Sequence, residues 1–427
     1  MRRGVIAASA VGAVTVLTWL VSRPVDDVSG MGQVSQLFGM VALAGFACVM
    51  AISTRHRLVD AAFGGLDKAY VAHKWLAITS ISLVVVHLVT RDGGQMASHG
   101  GGRMRGGPGA ADLGVPSLLL FVVLAVIALV ARQIRYEVWK AVHMLMAIPY
   151  AIGLVHYYGS SSYDPWGLTP VSVWLDLVNL VGVASVVYSV VAYEQLAFRH
   201  RYTVTGLRTA GHGNLEITGR PVGRGITWRA GQFAFVKFPG HRFGSHPFTI
   251  SSGPADHDIQ FTIRALGDHT SALPATLRLG DTMTVSAASG RFDYTTGGRR
   301  QVWIAAGIGI TPFRAFLRAG VPGDYSIDLF YSYAAGHGAY LDELAAVPPH
   351  IRLHPIDTTH DGRLTADRIA QTVQATQPVD VYFCGPAPMR EALRAGLAAS
   401  GLPVTQFHAE EFGFARPARH RQGRSGP

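Results

Sequence analysis

Residues 70–89 read YVAHKWLAITSISLVVVHLV and residues 139–156 read WKAVHMLMAIPYAIGLVH. Both are apolar runs of the length that a hydrocarbon core demands of a helix. Each carries a histidine near either end, His73 and His87 in the first and His143 and His156 in the second. The separations, fourteen and thirteen residues, correspond to roughly 20 Å of helix, most of a bilayer interior. Fourteen residues return to within about 40° of the same helix face, whereas thirteen fall about 140° away. The second run must therefore bend, and Pro149 between its histidines, with Gly153 close by, is the residue type that bends helices.

Ionisable side chains inside a membrane are costly and usually functional, and neutral imidazole is a common iron ligand. A matched pair at each end predicts two haem b groups stacked along the membrane normal. His73 would pair with His143 near the inner surface and His87 with His156 near the outer one. Further apolar runs near Gly4–Val21, Gln36–Ser53, Val115–Val130 and Val171–Ala192 bring the expected spans to six. A hydrophobic share of 49% fits a chain partly in lipid. The first run follows Arg2 and Arg3 without a small-x-small cleavage site, which reads as an uncleaved anchor. Basic clusters at Arg2/Arg3, Arg55/Arg57/Lys68, Arg132/Arg135/Lys140 and Arg199/Arg201 assign those ends to the cytoplasm of a plasma membrane. Arg91, Arg103 and Arg105 in the third loop run against that assignment.

Beyond Phe198 no such run recurs. Phe233–Phe238, His246–Ser251, Ile259–Leu266 and Thr282–Ala287 read as successive strands of a small antiparallel barrel. Val302–Ala306, Ile327–Tyr331, Ile351–Ile356 and Val379–Phe383 alternate with helical patterns, as in a parallel α/β nucleotide fold. The expected domains are 1–197 (transmembrane di-haem bundle of six helices), 198–296 (antiparallel β-barrel) and 297–427 (α/β domain with a basic tail). Cys48 and Cys384 are the two cysteines; they fall in different halves, so no structural disulfide is expected. The net charge of +10 is shared between membrane-flanking residues and the terminal tail, and no nucleic-acid module is recognisable.

His246-Pro247-Phe248-Thr249-Ile250-Ser251, Gly267-Asp268-His269-Thr270, Gly307-Ile308-Gly309-Ile310-Thr311-Pro312-Phe313 and Phe383-Cys384-Gly385-Pro386 resemble, in this order, the motifs of the NADPH oxidase and ferric reductase family. The histidine spacing and Tyr136-Glu137-x-Trp139 resemble the same family, with bacterial NADPH oxidases nearest. The resemblance implies a ferredoxin-NADP reductase-like soluble half. FAD would lie on His246, Pro247, Phe248, Thr249 and Ser251, with Arg264, Gly267 and Thr270 at its pyrophosphate. NADPH, with NADH as the alternative donor, would lie on Gly307, Gly309, Thr311, Pro312, Cys384 and Gly385. Cys384 would stand beside the nicotinamide, and Phe414, or else Phe412, would cover the flavin until the nicotinamide displaces it.

The activity implied is hydride transfer from NAD(P)H to FAD, then single electrons through two bis-histidine haems to external dioxygen, giving superoxide. Two other acceptors stay open. A metalloreductase would reduce ferric or cupric ions, for which Met96, His99 and Met104 are soft donors of the kind that hold copper. An electron-supply subunit would dock a second redox protein, although no obligate partner is evident. After Tyr331-Ser332-Tyr333, where a cation would meet a 2′-phosphate, the chain reads Ala334-Ala335-Gly336, leaving His337 or Arg314 as substitutes.

Overall fold

The computed structural model describes residues 2–22, 30–91, 111–130, 136–160, 166–239 and 244–410. The chain divides into two compact units, Met1–Leu196 and Ala197–Pro427.

The first unit is helical: α1 (Arg2–Ser22), α2 (Gly30–Ser53), α3 (Arg57–Phe63), α4 (Leu66–Val89), α5 (Gly114–Leu129), α6 (Tyr136–Met144), α7 (Ala147–Ser160), α8 (Pro170–Val187) and α9 (Tyr193–Ala197). Among the described residues five helical stretches are long and apolar enough to cross a membrane, where the sequence predicted six. The exception is α5, whose 16 residues extend only about 24 Å at 1.5 Å per residue. Helix α2 is the centre of the bundle, with Met40, Ala44, Ala47 and Met50 buried against Phe121, Tyr150, Leu175 and Val178. Small residues permit this: a Cβ at Gly182 would strike the Tyr150 hydroxyl and stand 2.9 Å from Ala47 Cβ. Close backbone approach of this kind supplies packing between helices in lipid, where the hydrophobic effect cannot.

The fifth span does break between its histidines, but four residues before the proline. Leu145 and Met146 donate to Val142 and His143 carbonyls at 3.1 Å, and Ile148 donates to Leu145 at 2.9 Å. These are i→i−3 bonds. Pro149 has no N–H to offer the Leu145 carbonyl, and its ring crowds that group, so the break falls at the acceptor and not at the proline.

The second unit begins with an antiparallel sheet built from β1 (His200–Thr209), β2 (Asn214–Pro221), β3 (Phe233–Lys237), β4 (His246–Thr249), β5 (Ile259–Arg264) and β6 (Thr282–Val285), in the order β4-β3-β6-β1-β2-β5. Its two edges meet at an isolated antiparallel bridge, Ile250↔Phe261. Helix α10 (Asp268–Thr276) follows β5. A parallel sheet comes next, with β7 (Arg300–Ala306), β8 (Ser326–Tyr333), β9 (Ile351–Asp357), β10 (Val379–Cys384) and β11 (Val404–Glu410), connected by α11 (Thr311–Ala319), α12 (Leu341–Ala345), α13 (Ala366–Val373) and α14 (Ala387–Ala399). Both faces of this sheet are covered, as parallel sheets require. Val302 and Ile304 of β7 join one apolar cluster while Trp303 and Ala305 join the other, the period-two alternation of a strand.

The parallel order is β11-β10-β7-β8-β9. The chain winds outward from β7 through β8 to β9, then crosses back to set β10 on the other side of β7. The strand direction of winding therefore reverses between β7 and β10, and ligands of such sheets bind in the crevice outside the carboxyl ends at that switch point.

Candidate functional site

The paired histidines meet across the bundle. The ring centroids of His73 and His143 are 6.0 Å apart and those of His87 and His156 6.3 Å apart. One iron held between two imidazoles through bonds of about 2 Å spaces the centroids by roughly 6 Å, so both gaps fit a bis-histidine metal. The orientations of the His73 and His87 rings fit as well. His73 Nδ1 lies 3.2 Å from the Val49 carbonyl and His87 Nδ1 2.7 Å from the Ser35 carbonyl, both on α2. An Nδ1–H donated to a backbone carbonyl leaves Nε2 as the ligating nitrogen and fixes the plane of the ring. Trp139 stacks on His143 at 5.0 Å. Among the described residues no cluster of three or more His, Cys, Asp or Glu side chains forms; each pair brings two imidazoles together, the donor set that a porphyrin-held iron would ask of a protein.

Several residues of this site carry no signal in the spacing of the histidines. Ser35 is buried, and its hydroxyl donates to the His87 carbonyl at 2.8 Å. Gly39 and Gly114 leave the room that the rings occupy, since a Cβ at either would stand 3.0 Å from the His87 or His156 ring. The Arg55 guanidinium lies 5.8 Å from the Tyr70 ring and 5.6 Å from the Tyr193 ring, within Coulombic reach of His143.

In the second unit the switch-point crevice is lined by the two glycine motifs. Ala306 ends β7 and Gly307 turns the chain with φ +54, a left-handed value that favours glycine. A Cβ at Gly309 would strike the Cys384 carbonyl oxygen, so glycine here lets the turn lie flat against the end of β10. Thr311 opens α11, its hydroxyl donating to the Ile308 carbonyl at 3.0 Å, with Pro312 at the start of the helix. Exposed Arg264 at the end of β5 reaches this turn; the position of a Gly307 Cβ is 3.4 Å from its Nη1. A cation thus stands beside the turn that opens α11, where a helix N-terminus can meet a phosphate.

Strand β4 pairs with β3 through Val236↔His246, Phe235↔Pro247, Ala234↔Phe248 and Phe233↔Thr249. His246, Pro247 and Phe248 are partly exposed and Thr249 and Ser251 are buried. The His246 ring stacks on His269 at 4.5 Å, which ties β4 to the start of α10. There Thr270 Oγ1 accepts from the Leu266 and Gly267 N–H groups at 3.0 and 3.1 Å.

Three regions of the sequence match models of protein families: residues 38–154 match the ferric reductase like transmembrane component, 201–288 an FAD-binding domain and 303–395 an oxidoreductase NAD-binding domain. The chain has the NADPH oxidase/ferric reductase-like architecture. An FAD-binding domain and an oxidoreductase NAD-binding domain thus follow a transmembrane component, in keeping with the apolar helices of a membrane protein. Among curated proteins the chain is similar to the toluate 1,2-dioxygenase electron transfer component of Pseudomonas putida, 27% identical over 44% of this chain and 59% of the relative. It is also similar to the ferredoxin reductase component of 3-ketosteroid-9-alpha-monooxygenase from Mycobacterium tuberculosis (30%; 44% and 56%). A third relative is the heme-dependent oxidative N-demethylase beta subunit of Ectopseudomonas mendocina (29%; 42% and 62%). The chain thus spans 56–62% of the length of these relatives.

Of the two residues expected as substitutes at a 2′-phosphate, one is committed elsewhere. Arg314 is buried in ion pairs with Glu216 and Glu343, so it is not available to a 2′-phosphate. His337 is partly exposed beyond β8, with Nδ1 2.8 Å from the His212 carbonyl. Cys384 is fully buried at the end of β10, beneath Gly309; burial, with the Glu410 carboxylate adding to it, pushes its thiol well above the ordinary range. Gly385 packs on Ala306, where a Cβ would stand 2.7 Å from the alanine Cβ. Phe412 and Phe414, together with Met96, His99 and Met104, lie outside the described residues.

Proposed function

We propose that this protein is a transmembrane NAD(P)H oxidase that draws electrons from cytoplasmic NADPH and delivers them singly to dioxygen outside, forming superoxide. The observation that carries the reading is the pair of histidine gaps, 6.0 and 6.3 Å, in the same chain as a nucleotide crevice. When bound, FAD accepts a hydride and releases single electrons, and haem b relays them one at a time. His73 with His143, and His87 with His156, would hold the two irons. With two histidines committed to each iron, the chain would offer dioxygen no ligand position, and the chemistry supplied would be transfer of single electrons.

The strand His246–Thr249 with Ser251 supports the isoalloxazine, and Arg264, Gly267 and Thr270 face the FAD pyrophosphate. Gly307, Gly309, Thr311 and Pro312 admit the nicotinamide cofactor's phosphates to the N-terminus of α11. Gly385 keeps the end of β10 low beside the nicotinamide, with Cys384 beneath. His337 is the remaining candidate for recognition of a 2′-phosphate.

A second reading, electron supply to a partner redox protein, draws on the relatives named as electron transfer or reductase components. Oxygen separates the two. The oxidase reading expects NADPH-driven, superoxide dismutase-sensitive reduction of a reporter by the detergent-solubilised protein alone. NADPH oxidation that needs added ferric or cupric chelate, or a partner, and runs equally well without oxygen contradicts it.

A further inference from the structure

Arg314 is 2% exposed, although it lies on α11, the helix that opens from the Gly307 turn. Its Nη1 donates to Gln260 Oε1 at 3.0 Å and to the Ser251 carbonyl at 3.4 Å, and lies 3.2 Å from Glu216 Oε2. Its Nε donates to Glu343 Oε1 and Oε2 at 3.1 and 3.0 Å. The guanidinium carbon rests 4.0 Å from the centroid of the Tyr340 ring. Tyr340 Oη donates to Glu216 Oε2 at 2.6 Å and contacts the Thr262 hydroxyl, which is 3.2 Å from Ser251 Oγ. One side chain thus joins β2 and the segment after β4 in the antiparallel sheet to α11 and α12 of the parallel one.

Two features set this cluster apart from ordinary packing. A buried ion pair is often no more stable than an apolar replacement of the same volume, so its worth lies in the geometry that it enforces. Tyr340, moreover, holds φ +64, a left-handed conformation that a bulky residue keeps only where its surroundings over-determine it. Ser251 ends the motif that begins at His246, and α11 begins where the Gly307 motif ends. The cluster therefore joins the end of the flavin-strand motif to the helix of the Gly307 motif.

We propose that Arg314 is a positioning residue for hydride transfer, with Tyr340 as its platform: it fixes the helix of the nucleotide crevice to the end of the flavin strand. The proposal rests on reading those two segments as the nicotinamide and flavin sites. The reaction served moves a hydride, one proton with two electrons, from the nicotinamide ring to the isoalloxazine; the nicotinamide is oxidised and the flavin reduced. Lysine at 314 keeps the charge but lacks the fork that reaches Glu343 on one side and Glu216, Gln260 and Ser251 on the other.

The test is anaerobic stopped-flow reduction of the flavin by NADPH in the full-length, detergent-solubilised holoprotein, comparing wild type with Arg314→Met, Arg314→Lys and Tyr340→Phe. Misplacement of the reacting groups by about 1 Å costs on the order of a hundredfold in rate. Arg314→Met should therefore lower the limiting rate per bound flavin by about 10- to 100-fold, with the NADPH concentration at half-saturation changed by less than about threefold. Arg314→Lys should recover part of the rate, and Tyr340→Phe should lose about three- to tenfold. If Arg314→Met does not fold, the lysine and phenylalanine variants carry the comparison. Wild-type rates per bound flavin in the variants, even with less flavin or a lower melting temperature, would reduce Arg314 to a purely structural role and overturn the proposal. A wild-type flavin that neither NADPH nor NADH reduces would overturn the underlying site reading, an outcome distinguishable from the first.

Discussion

Leucine in place of Gly39 probes the His87/His156 pair without replacing either histidine. An ideal Cβ at Gly39 would stand 3.0 Å from His87 Nδ1, 3.3 Å from Cε1 and 3.4 Å from Cγ. The imidazole cannot retreat cheaply, because Nδ1 is already 2.7 Å from the Ser35 carbonyl and 3.0 Å from its hydroxyl. Even a methyl group forces a shift of some tenths of an ångström, and a leucine forces more. Overpacking of a fitted interior costs about 1–3 kcal/mol, which is about a 5- to 150-fold loss in affinity for a group held by His87. Gly39→Leu should therefore purify with about one haem per flavin in place of about two, the loss falling on the outer site. Pyridine haemochrome assay against flavin content reads the ratio. Gly12→Leu, on α1 with no atom within 4 Å of its Cβ position, is the control. Equal haem content and equal outer-haem potential in Gly39→Leu and wild type would refute the reasoning.

Asp328 is 1% exposed and accepts from Arg352 twice and from His354, each at 2.8 Å, and also from Arg300. Burial alone would raise its pKa, but hydrogen bonds from Arg352, His354 and Arg300 dominate and hold the carboxyl well below its ordinary 3.8. Its folded value being depressed, the stabilisation is complete above the ordinary value and drains away as the pH falls through the folded one. With the exposure of Arg352 discounted, Asp328→Asn should cost about 2–3 kcal/mol near neutral pH. The flavin-release transition on heating should then fall by about 5–10 °C. The gap between variant and wild type should narrow in strong acid, and a constant gap from pH 7 to the acid limit would contradict this. His337→Ala should lower kcat/KM for NADPH by about tenfold, the worth of one charged hydrogen bond, and leave NADH unchanged; an equal loss for both would remove the 2′-phosphate role.

The four histidines were legible because two copies of a polar residue at bilayer spacing, in runs otherwise apolar, leave few structural explanations. Ser35, Gly39 and Gly114 were not, since serine and glycine are ordinary in membrane helices and only the packing of α2 and α5 on the rings gives them meaning. The bend in the fifth span was anticipated at Pro149, whereas the geometry of a missing N–H moves it to the acceptor four residues earlier. In the second unit the glycine motifs announced the crevice, and the reversal between β7 and β10 shows why they sit together. Strands β1 and β2 were anticipated only as part of a general run of strands, and β11 was missed, its burial too irregular to read as alternation. Arg314 was offered as a substitute to meet a 2′-phosphate because its carboxylate partner Glu216 lies on a strand far upstream, and no local pattern records that pairing.

The central claim is that electrons from the nicotinamide crevice reach the paired histidines within one chain. Its most direct measurement is the absorption spectrum of detergent-solubilised holoprotein titrated with NADPH under strict anaerobiosis. The account predicts bleaching of the flavin followed by reduction of two low-spin haems per flavin, and reoxidation of both haems when oxygen is admitted. Flavin bleaching with no change in any haem band, in protein that does contain haem, would contradict it.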